Sequence, residues 1–279
     1  MPSVVIPAHN EEAAIVRTIE GVLADRVDDL EIVVVVNGSS DRTAELARGV
    51  DPRVQVLETA TPGKTNALNL GESVLKSFPR VFLDADIELR PGTLRAILQA
   101  CGAPHPIVAP SPERDDTGCT LGMRLFLQAE RYNHYFGRGA PNGSGCFVLC
   151  EAGRSRWGDF PDIVADDGFV ANHFEPNEAA TVDSAIAVVR PPKDLRSMIA
   201  VRTRIRRGRY ELDRRFPELM GTHGSQVGGS IGRMFVRPWT WPALAVYAWV
   251  RIRERQLARR QIDAGHTGWG RDESARQSS

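Results

Sequence analysis

Two hydrophobic periods alternate along the first hundred residues. Residues 3–6, 31–36, 54–57 and 80–83 are short apolar runs between polar ones, and each predicts a strand. Residues 31–36 are apolar throughout after Glu31, the pattern of a strand covered on both faces. Between these runs the apolar positions fall at helical spacing. Residues 11–24 place Ile15, Ile19, Val22 and Leu23 on one stripe, with Asn10 as the predicted N-cap and Glu11 and Glu12 at the positive end of the helix dipole. A second helix runs through Ala47 from a cap at Ser40 or Asp41, a third covers 64–76 after the Pro62-Gly63 break, and a fourth runs from Pro91 to Ala100. This alternation predicts an α/β fold: a Rossmann-like, mostly parallel sheet flanked by helices. Ligands of such sheets bind beyond the carboxyl ends of the strands, so loops 7–12, 36–41, 59–64 and 84–88 are predicted to line one cleft.

Beyond residue 100 the pattern is less regular. It predicts a helix over 121–136, a strand over 146–150 led by Gly143-Ser144-Gly145, and a loop over 160–167 that ends in Asp166 and Asp167. A short helix over 168–174, a strand over 185–189 and a basic helix over 195–213, interrupted at Gly208, follow. Five glycines within 221–232 predict a mobile loop, and the polar tail 265–279 is predicted to be disordered.

Composition changes this picture little. The 279 residues are 42% hydrophobic and 25% charged, as in a globular protein. The net charge is zero, and the basic run 202–215 holds a single aromatic residue, Tyr210, rather than an interleaved series, which argues against a nucleic-acid partner. The charge is nevertheless uneven: residues 190–215 carry ten Arg and Lys against three acids, and 251–260 carry five Arg. The four cysteines form no C-x-x-C pair and read as reduced thiols. No basic segment leads into an apolar signal region, and no stretch is apolar for the length a membrane span needs, so a cytoplasmic protein is expected.

The chemistry is concentrated at the end of the fourth strand. Asp84 and Asp86 stand two residues apart, and on an extended chain they would point the same way. Two carboxylates on one face repel unless a cation lies between them, and a hard divalent ion suits oxygen ligands. The surrounding motifs supply context. Val4-Val5-Ile6-Pro7-Ala8-His9-Asn10-Glu11-Glu12, Val36-Asn37-Gly38-Ser39-Ser40-Asp41-Arg42-Thr43, Gly63-Lys64 with Ala67-Leu68-Asn69 and Gly71, Asp84-Ala85-Asp86, and Asp166-Asp167 occur in that order. In that order they resemble a family 2 glycosyltransferase of the GT-A fold, over about residues 3–215.

The resemblance implies a nucleotide-sugar-binding half at 1–100 and an acceptor-binding half at 101–215, followed by a glycine-rich loop and C-terminal helical extension at 216–264. Pro7, Ala8, Asn10 and Glu11 fall in the nucleotide-binding loop, and Asn37 falls where the family reads the base, with an amide suited to a uracil or guanine edge. A UDP-sugar is expected as donor, with a GDP-sugar as the second candidate. Asp86, with Asp84, falls where the family holds Mg²⁺ or Mn²⁺, and His223 is a further metal candidate, since related enzymes can supply a late histidine. Lys64, Arg206 and Arg209 are candidates to neutralise the departing diphosphate. Asp167 falls at the catalytic base, beside Asp166, and inversion at the sugar would follow. Gly145 and Trp157 are candidates for the acceptor pocket. Arg206-Arg207-Gly208-Arg209-Tyr210 only faintly resembles the Q-x-x-R-W segment of polymerising members, so a non-processive enzyme is expected, acting on a small-molecule, lipid-linked or glycan acceptor.

Two other readings compete. A sugar nucleotidyltransferase shares this architecture but needs a glycine-rich loop after the first strand, where this chain has Pro7-Ala8-His9-Asn10-Glu11. A non-catalytic nucleotide-sugar-binding protein would more readily have lost the acids at 84, 86 or 167. The C-terminal segment carries a separate signal. Trp239, Trp241, Tyr247 and Trp249 precede Arg251, Arg253, Arg255, Arg259 and Arg260, so residues 234–260 suit either peripheral contact with the inner face of the cell membrane or packing on the catalytic domain.

Overall fold

The computed structural model describes residues 1–132, 138–221 and 232–264. The predicted His223 and most of the glycine-rich loop lie outside the described residues, as does the tail from 265. The described chain groups into two compact units. The first gathers Met1–Glu113, Gly137–Asp162 and Val170–Val189, and the second gathers Arg114–Phe136, Ile163–Phe169 and the described residues from Arg190 on. This grouping does not follow the division at residue 215 expected from the sequence.

An eight-stranded sheet forms the first unit. Its strands are β1 (Ser3–Ala8), β2 (Glu31–Asn37), β3 (Val54–Thr59), β4 (Arg80–Leu83), β5 (Glu88–Leu89), β6 (Ile107–Arg114), β7 (Cys146–Leu149) and β8 (Ala179–Val189), in the spatial order β3-β2-β1-β4-β7-β6-β8-β5. The β3-β2-β1-β4 half is parallel, as the strand–helix alternation predicts. β7 then runs antiparallel to both β4 and β6, and β5 runs antiparallel to β8. The sequence pattern missed β6 because Pro110 and Pro112 interrupt it. Its register with β7 covers only Ile107 and Val108, before the first proline, where every backbone N–H is available.

The helices of this unit are α1 (Ile15–Leu23), α2 (Thr43–Val50), α3 (Lys64–Val74), α4 (Thr93–Ala100) and the short α6 (Glu151–Arg154); α5 and α7 follow below. Alternate residues of the central strands face opposite layers. Val4, Ile6, Val34, Val36, Val81 and Leu83 join Ile15, Ile19 and Val22 of α1 and Leu94 and Ile97 of α4 in one core. Val5 and Val35, their neighbours in sequence, meet α3 instead, and Gly71 makes that approach possible. A Cβ there would lie 2.5 Å from Val5 Cγ2 and 3.0 Å from Val35 Cγ2. The predicted N-cap at Asn10 is not one: α1 starts at Ile15, and Asn10 stands well before it in the chain, in a left-handed conformation (φ 53°).

The second unit is helical. α5 (Leu121–Glu130), α8 (Leu195–Arg215) and α10 (Trp241–Asp263) bury Met123, Phe126, Met198, Ala243, Tyr247 and Val250 together, with the short α9 (Gly232–Phe235) leading into α10. α8 runs unbroken through Gly208. That glycine is a packing site, since a Cβ there would come within 3.0 Å of Val164 and 3.1 Å of the Ala165 nitrogen. The 163–165 segment, which leads into α7 (Asp166–Ala171), therefore lies directly against α8.

Two glycine-to-alanine changes should move stability in opposite directions. Gly71→Ala forces a methyl into the valines of β1 and β2 and should destabilise by about 1–3 kcal/mol. Gly49→Ala, on the exposed side of α2 with no atom near its Cβ position, should stabilise by about 0.4–1 kcal/mol. Urea unfolding of the two variants checks both signs.

Candidate functional site

The loops at the carboxyl edge of the parallel strands are tied to one another by side chains. Asn37 ends β2 and is buried (1% exposed). Its Nδ2 donates to the Ala8 carbonyl at 2.9 Å, and its Oδ1 accepts from the Gly63 N–H at 3.1 Å. Its own carbonyl accepts from His9 Nδ1 at 2.6 Å. The first two loops are joined pair by pair. Asn10 N–H donates to Ser39 Oγ, Ser40 N–H to Asn10 Oδ1, Glu11 N–H to Thr43 Oγ1 and Glu12 N–H to Asp41 Oδ2. Burial pulls the Asp41 carboxyl upward, but the Thr43 hydroxyl and the amides of Glu12 and Thr43 outweigh it and hold Asp41 below its ordinary value.

Asn37 was expected to read a base. Both ends of its amide are instead engaged with backbone inside the protein, so it works as a strut between strands. Pro7 and Ala8 likewise lie within β1, buried, with the Ala8 carbonyl taken by Asn37. Asn10 and Glu11 remain at the loop itself, Asn10 half-buried and Glu11 buried.

Asp84 and Asp86 do not continue the strand. β4 stops at Leu83, and the Asp84 carbonyl accepts from Ile87 N–H at 3.2 Å, closing a turn over Asp84–Ile87. The strand alternation that would have put both acids on one face therefore does not apply. Asp84 is half-buried and Asp86 is exposed. Three contacts fix the turn. Asp84 N–H donates to the Gly145 carbonyl at 2.8 Å, the Thr18 hydroxyl of α1 donates to the Ala85 carbonyl at 2.8 Å, and Lys64 Nζ lies 2.7 Å from Asp84 Oδ1. Lys64 follows Gly63 at the start of α3, so the Asn37 strut also places this lysine. Thr18 had no sequence signal beyond being a polar residue on the buried stripe of its helix. Behind the turn, burial pushes the Cys146 thiol up, with the Asp84 charge adding to it, so it stays protonated.

The two acceptor candidates have other partners. Gly145 (φ 66°) backs the acidic turn: a Cβ there would lie 2.6 Å from Ile87 Cγ1 and 3.3 Å from Asp84 Oδ2. Trp157 packs edge-on to Phe160 and Phe174 and 4.8 Å from the His173 ring, with the Arg154 guanidinium over its face.

In the second unit, Asp166 and Asp167 occupy the first turn of α7, Asp166 buried and Asp167 half-buried. The helix begins two residues earlier than the sequence pattern placed it, so both acids are helical rather than in the preceding loop. Arg206 was expected to meet a diphosphate. It is instead paired with Glu254, which is 1% exposed, through Nε at 2.9 Å. Arg202 and Arg251 reach the same carboxylate at 2.6 and 2.9 Å, and Arg202 and Arg114 reach Glu130. A buried carboxylate of this kind needs its cations, so Arg206 belongs to the packing of α8 on α10. Arg209 is exposed on α8.

Residues 3–153 match the family model for glycosyl transferase family 2, which is more than half of the chain. The chain belongs to glycosyl transferase family 2. Among curated members, the 4,4'-diaponeurosporenoate glycosyltransferase of Staphylococcus haemolyticus is 36% identical over 104 residues, which is 35% of this chain and 28% of that one. The chain spans only a minor part of the length of the curated relatives it matches. Two solved structures share the fold. A mannosyltransferase of Pyrobaculum calidifontis in complex with GDP-Man and Mn²⁺ aligns with a TM-score of 0.59 at 20% identity, over 95% of this chain and 81% of that one. Glucosyl-3-phosphoglycerate synthase of Mycobacterium tuberculosis in complex with UDP aligns with a TM-score of 0.55 at 20% identity, over 81% of this chain and 82% of that one. Membership of this family, rather than the shared fold, sets aside the sugar nucleotidyltransferase alternative.

The family member's acidic turn should depend on Gly145. Gly145→Ala puts a side chain at positive φ and against Ile87, and should lower stability by about 1–2 kcal/mol from the backbone alone. In a double-mutant cycle followed by urea unfolding, Gly145→Ala should cost less in an Ile87→Ala background than in the unchanged chain, by the steric part of the loss.

Proposed function

We propose that this chain is a metal-dependent, inverting and non-processive glycosyltransferase. It moves a sugar from a nucleotide-diphosphate donor to an acceptor hydroxyl on a small molecule, a lipid-linked carrier or a glycan. The observation that carries the reading is the Lys64–Asp84 pair at the carboxyl end of β4, inside the segment matched by the family.

Asp84 and Asp86 offer hard oxygen donors, and among the described residues no group of three or more His, Cys, Asp or Glu could hold a metal. That donor set fits Mg²⁺ or Mn²⁺ with water and diphosphate oxygens as the remaining ligands, the manner in which Mg²⁺ is usually held. His223 is a further candidate ligand. When bound, the ion supplies Lewis-acid stabilisation of the diphosphate. Lys64 exchanges its Asp84 partner for a phosphate oxygen and balances negative charge as the glycosidic C–O bond breaks. Arg209 is the remaining candidate cation of the basic helix.

Asp167 takes the proton from the acceptor hydroxyl as that oxygen attacks the anomeric carbon from the side opposite the diphosphate. One displacement inverts the centre, the diphosphate leaves with the bonding electron pair, and the proton rests on Asp167. Asp166 stands buried beside it in the first turn of α7. With the Asn37 amide engaged by backbone, recognition of the base falls to other groups of the first loop, Asn10 and Glu11 among them. We assign the donor as a UDP-sugar ahead of a GDP-sugar; the fold neighbours solved with UDP and with GDP-Man support a nucleotide diphosphate of this size.

A thermal-shift screen of nucleotide sugars with and without Mn²⁺ tests the donor. A rise in melting temperature with a UDP-sugar, reduced without the metal or by Asp86→Ala, is expected, and no response to any nucleotide sugar would sink the reading. Asp167→Asn should lower turnover by roughly 10²–10⁴-fold while the donor-induced shift persists. Near-normal turnover of that variant would remove Asp167 as the base.

A further inference from the structure

The second unit exposes an apolar surface whose chemistry the transfer reaction does not use. α10 buries one stripe, Ala243, Tyr247, Val250, Glu254 and Ala258, at helical spacing against α5 and α8. Its opposite side is equally ordered along the axis. Trp241, Trp249 and Ile252 are 55%, 48% and 53% exposed, and Phe235, Val236 and Trp239 just before the helix are 64%, 79% and 72% exposed. Trp241 to Ile252 span the N-terminal half of α10, about 16 Å of helix at 1.5 Å per residue, and the other three side chains precede it. Trp241 is fixed in this outward pose by donating its indole N–H to the Phe235 carbonyl at 3.2 Å. The next two turns carry Arg253, Arg255, Arg259 and Arg260, all exposed. Arg251 alone turns inward, to Glu254, and the only exposed acid on α10 is Asp263 at its end.

From this gradient we infer that α10 and the segment before it dock on an anionic lipid surface. The tryptophans and Phe235 enter the interfacial layer, and the arginines lie among the phosphate headgroups. Aromatic side chains with a polar edge favour that boundary, and a row of exposed guanidinium groups that outnumbers the one exposed acid of the helix, Asp263, favours a surface of fixed negative charge. A second copy of the chain is a poorer occupant, because its own patch brings mostly arginine and tryptophan and a single exposed carboxylate, Asp263, to pair with them. Among the described residues no helix is long and apolar enough to cross a membrane, so the contact is peripheral.

The full chain should float with vesicles of mixed phosphatidylcholine and phosphatidylglycerol, and not with phosphatidylcholine alone. Its tryptophan emission should shift to the blue on binding, and salt should reverse the binding. The combined change Arg253→Gln, Arg255→Gln, Arg259→Gln and Arg260→Gln should weaken partitioning by roughly 100-fold or more. Trp239→Gln with Trp249→Gln should reduce the blue shift and weaken partitioning. All six positions are exposed, so melting temperature and the donor-induced thermal shift should be unchanged, which separates this inference from the proposed activity. Three results would overturn it: no flotation of the full chain, equal flotation with neutral vesicles, or a dimer in sedimentation that the tryptophan changes dissociate in the absence of lipid binding.

Discussion

Asn37 receives and gives hydrogen bonds in three directions at once. Its amide nitrogen reaches the last residue of β1, its amide oxygen reaches the residue before α3, and its carbonyl reaches the imidazole of His9. At 1% exposure no water competes for these bonds, and removing one partner would leave buried backbone groups unsatisfied, at about 1–3 kcal/mol each. The strut therefore fixes where the first loop departs and where α3 begins. Because Lys64 is the next residue after Gly63, it also fixes the cation that meets Asp84. A chain of short contacts thus runs from Ala8 through Asn37 and Gly63 to the acidic turn. Gly145 and Thr18 hold that turn from its other sides.

The ion pairs of the molecule divide by how easily a ligand can replace them. Asp84 is 35% exposed on its side chain, and a pair with that access to water is worth on the order of 1 kcal/mol. A diphosphate or a divalent ion can compete with it. Glu254 is 1% exposed with three guanidinium groups around it, and loss of one partner from such a site costs about 3–5 kcal/mol. The same residue type therefore has different work in different places. Arg206 maintains the helical unit, whereas Arg253, Arg255, Arg259 and Arg260 are left to face outward from α10.

Family membership and local geometry bear on different questions. The match over residues 3–153 covers β1 to β4, the acidic turn and β7, which is where the proposed donor-side residues stand. Most of the helical unit, including α8 and α10, lies beyond it. The Glu254 cluster and the aromatic–arginine face of α10 belong to that unit. The proposed acceptor chemistry and the proposed lipid contact thus rest on this chain's own residues.

The sequence by itself determined the parallel strands and their covering helices, because period-2 and period-3.6 patterns are written locally and each element buries its own apolar stripe. β4 appears over the same residues in pattern and structure, and the acids at 84 and 86 fall at the carboxyl edge for the same reason. Tertiary structure alone decided what the polar residues do there. The roles of Asn37 and Arg206 depend on partners 26 and 48 residues away, Gly63 and Glu254, and no local pattern records them. Whether Asp84 and Asp86 extend a strand or close a turn depended on the Gly145 carbonyl arriving from another part of the chain. An apolar stripe is additive along the chain, whereas a hydrogen bond or a buried ion pair exists only once both ends are brought together.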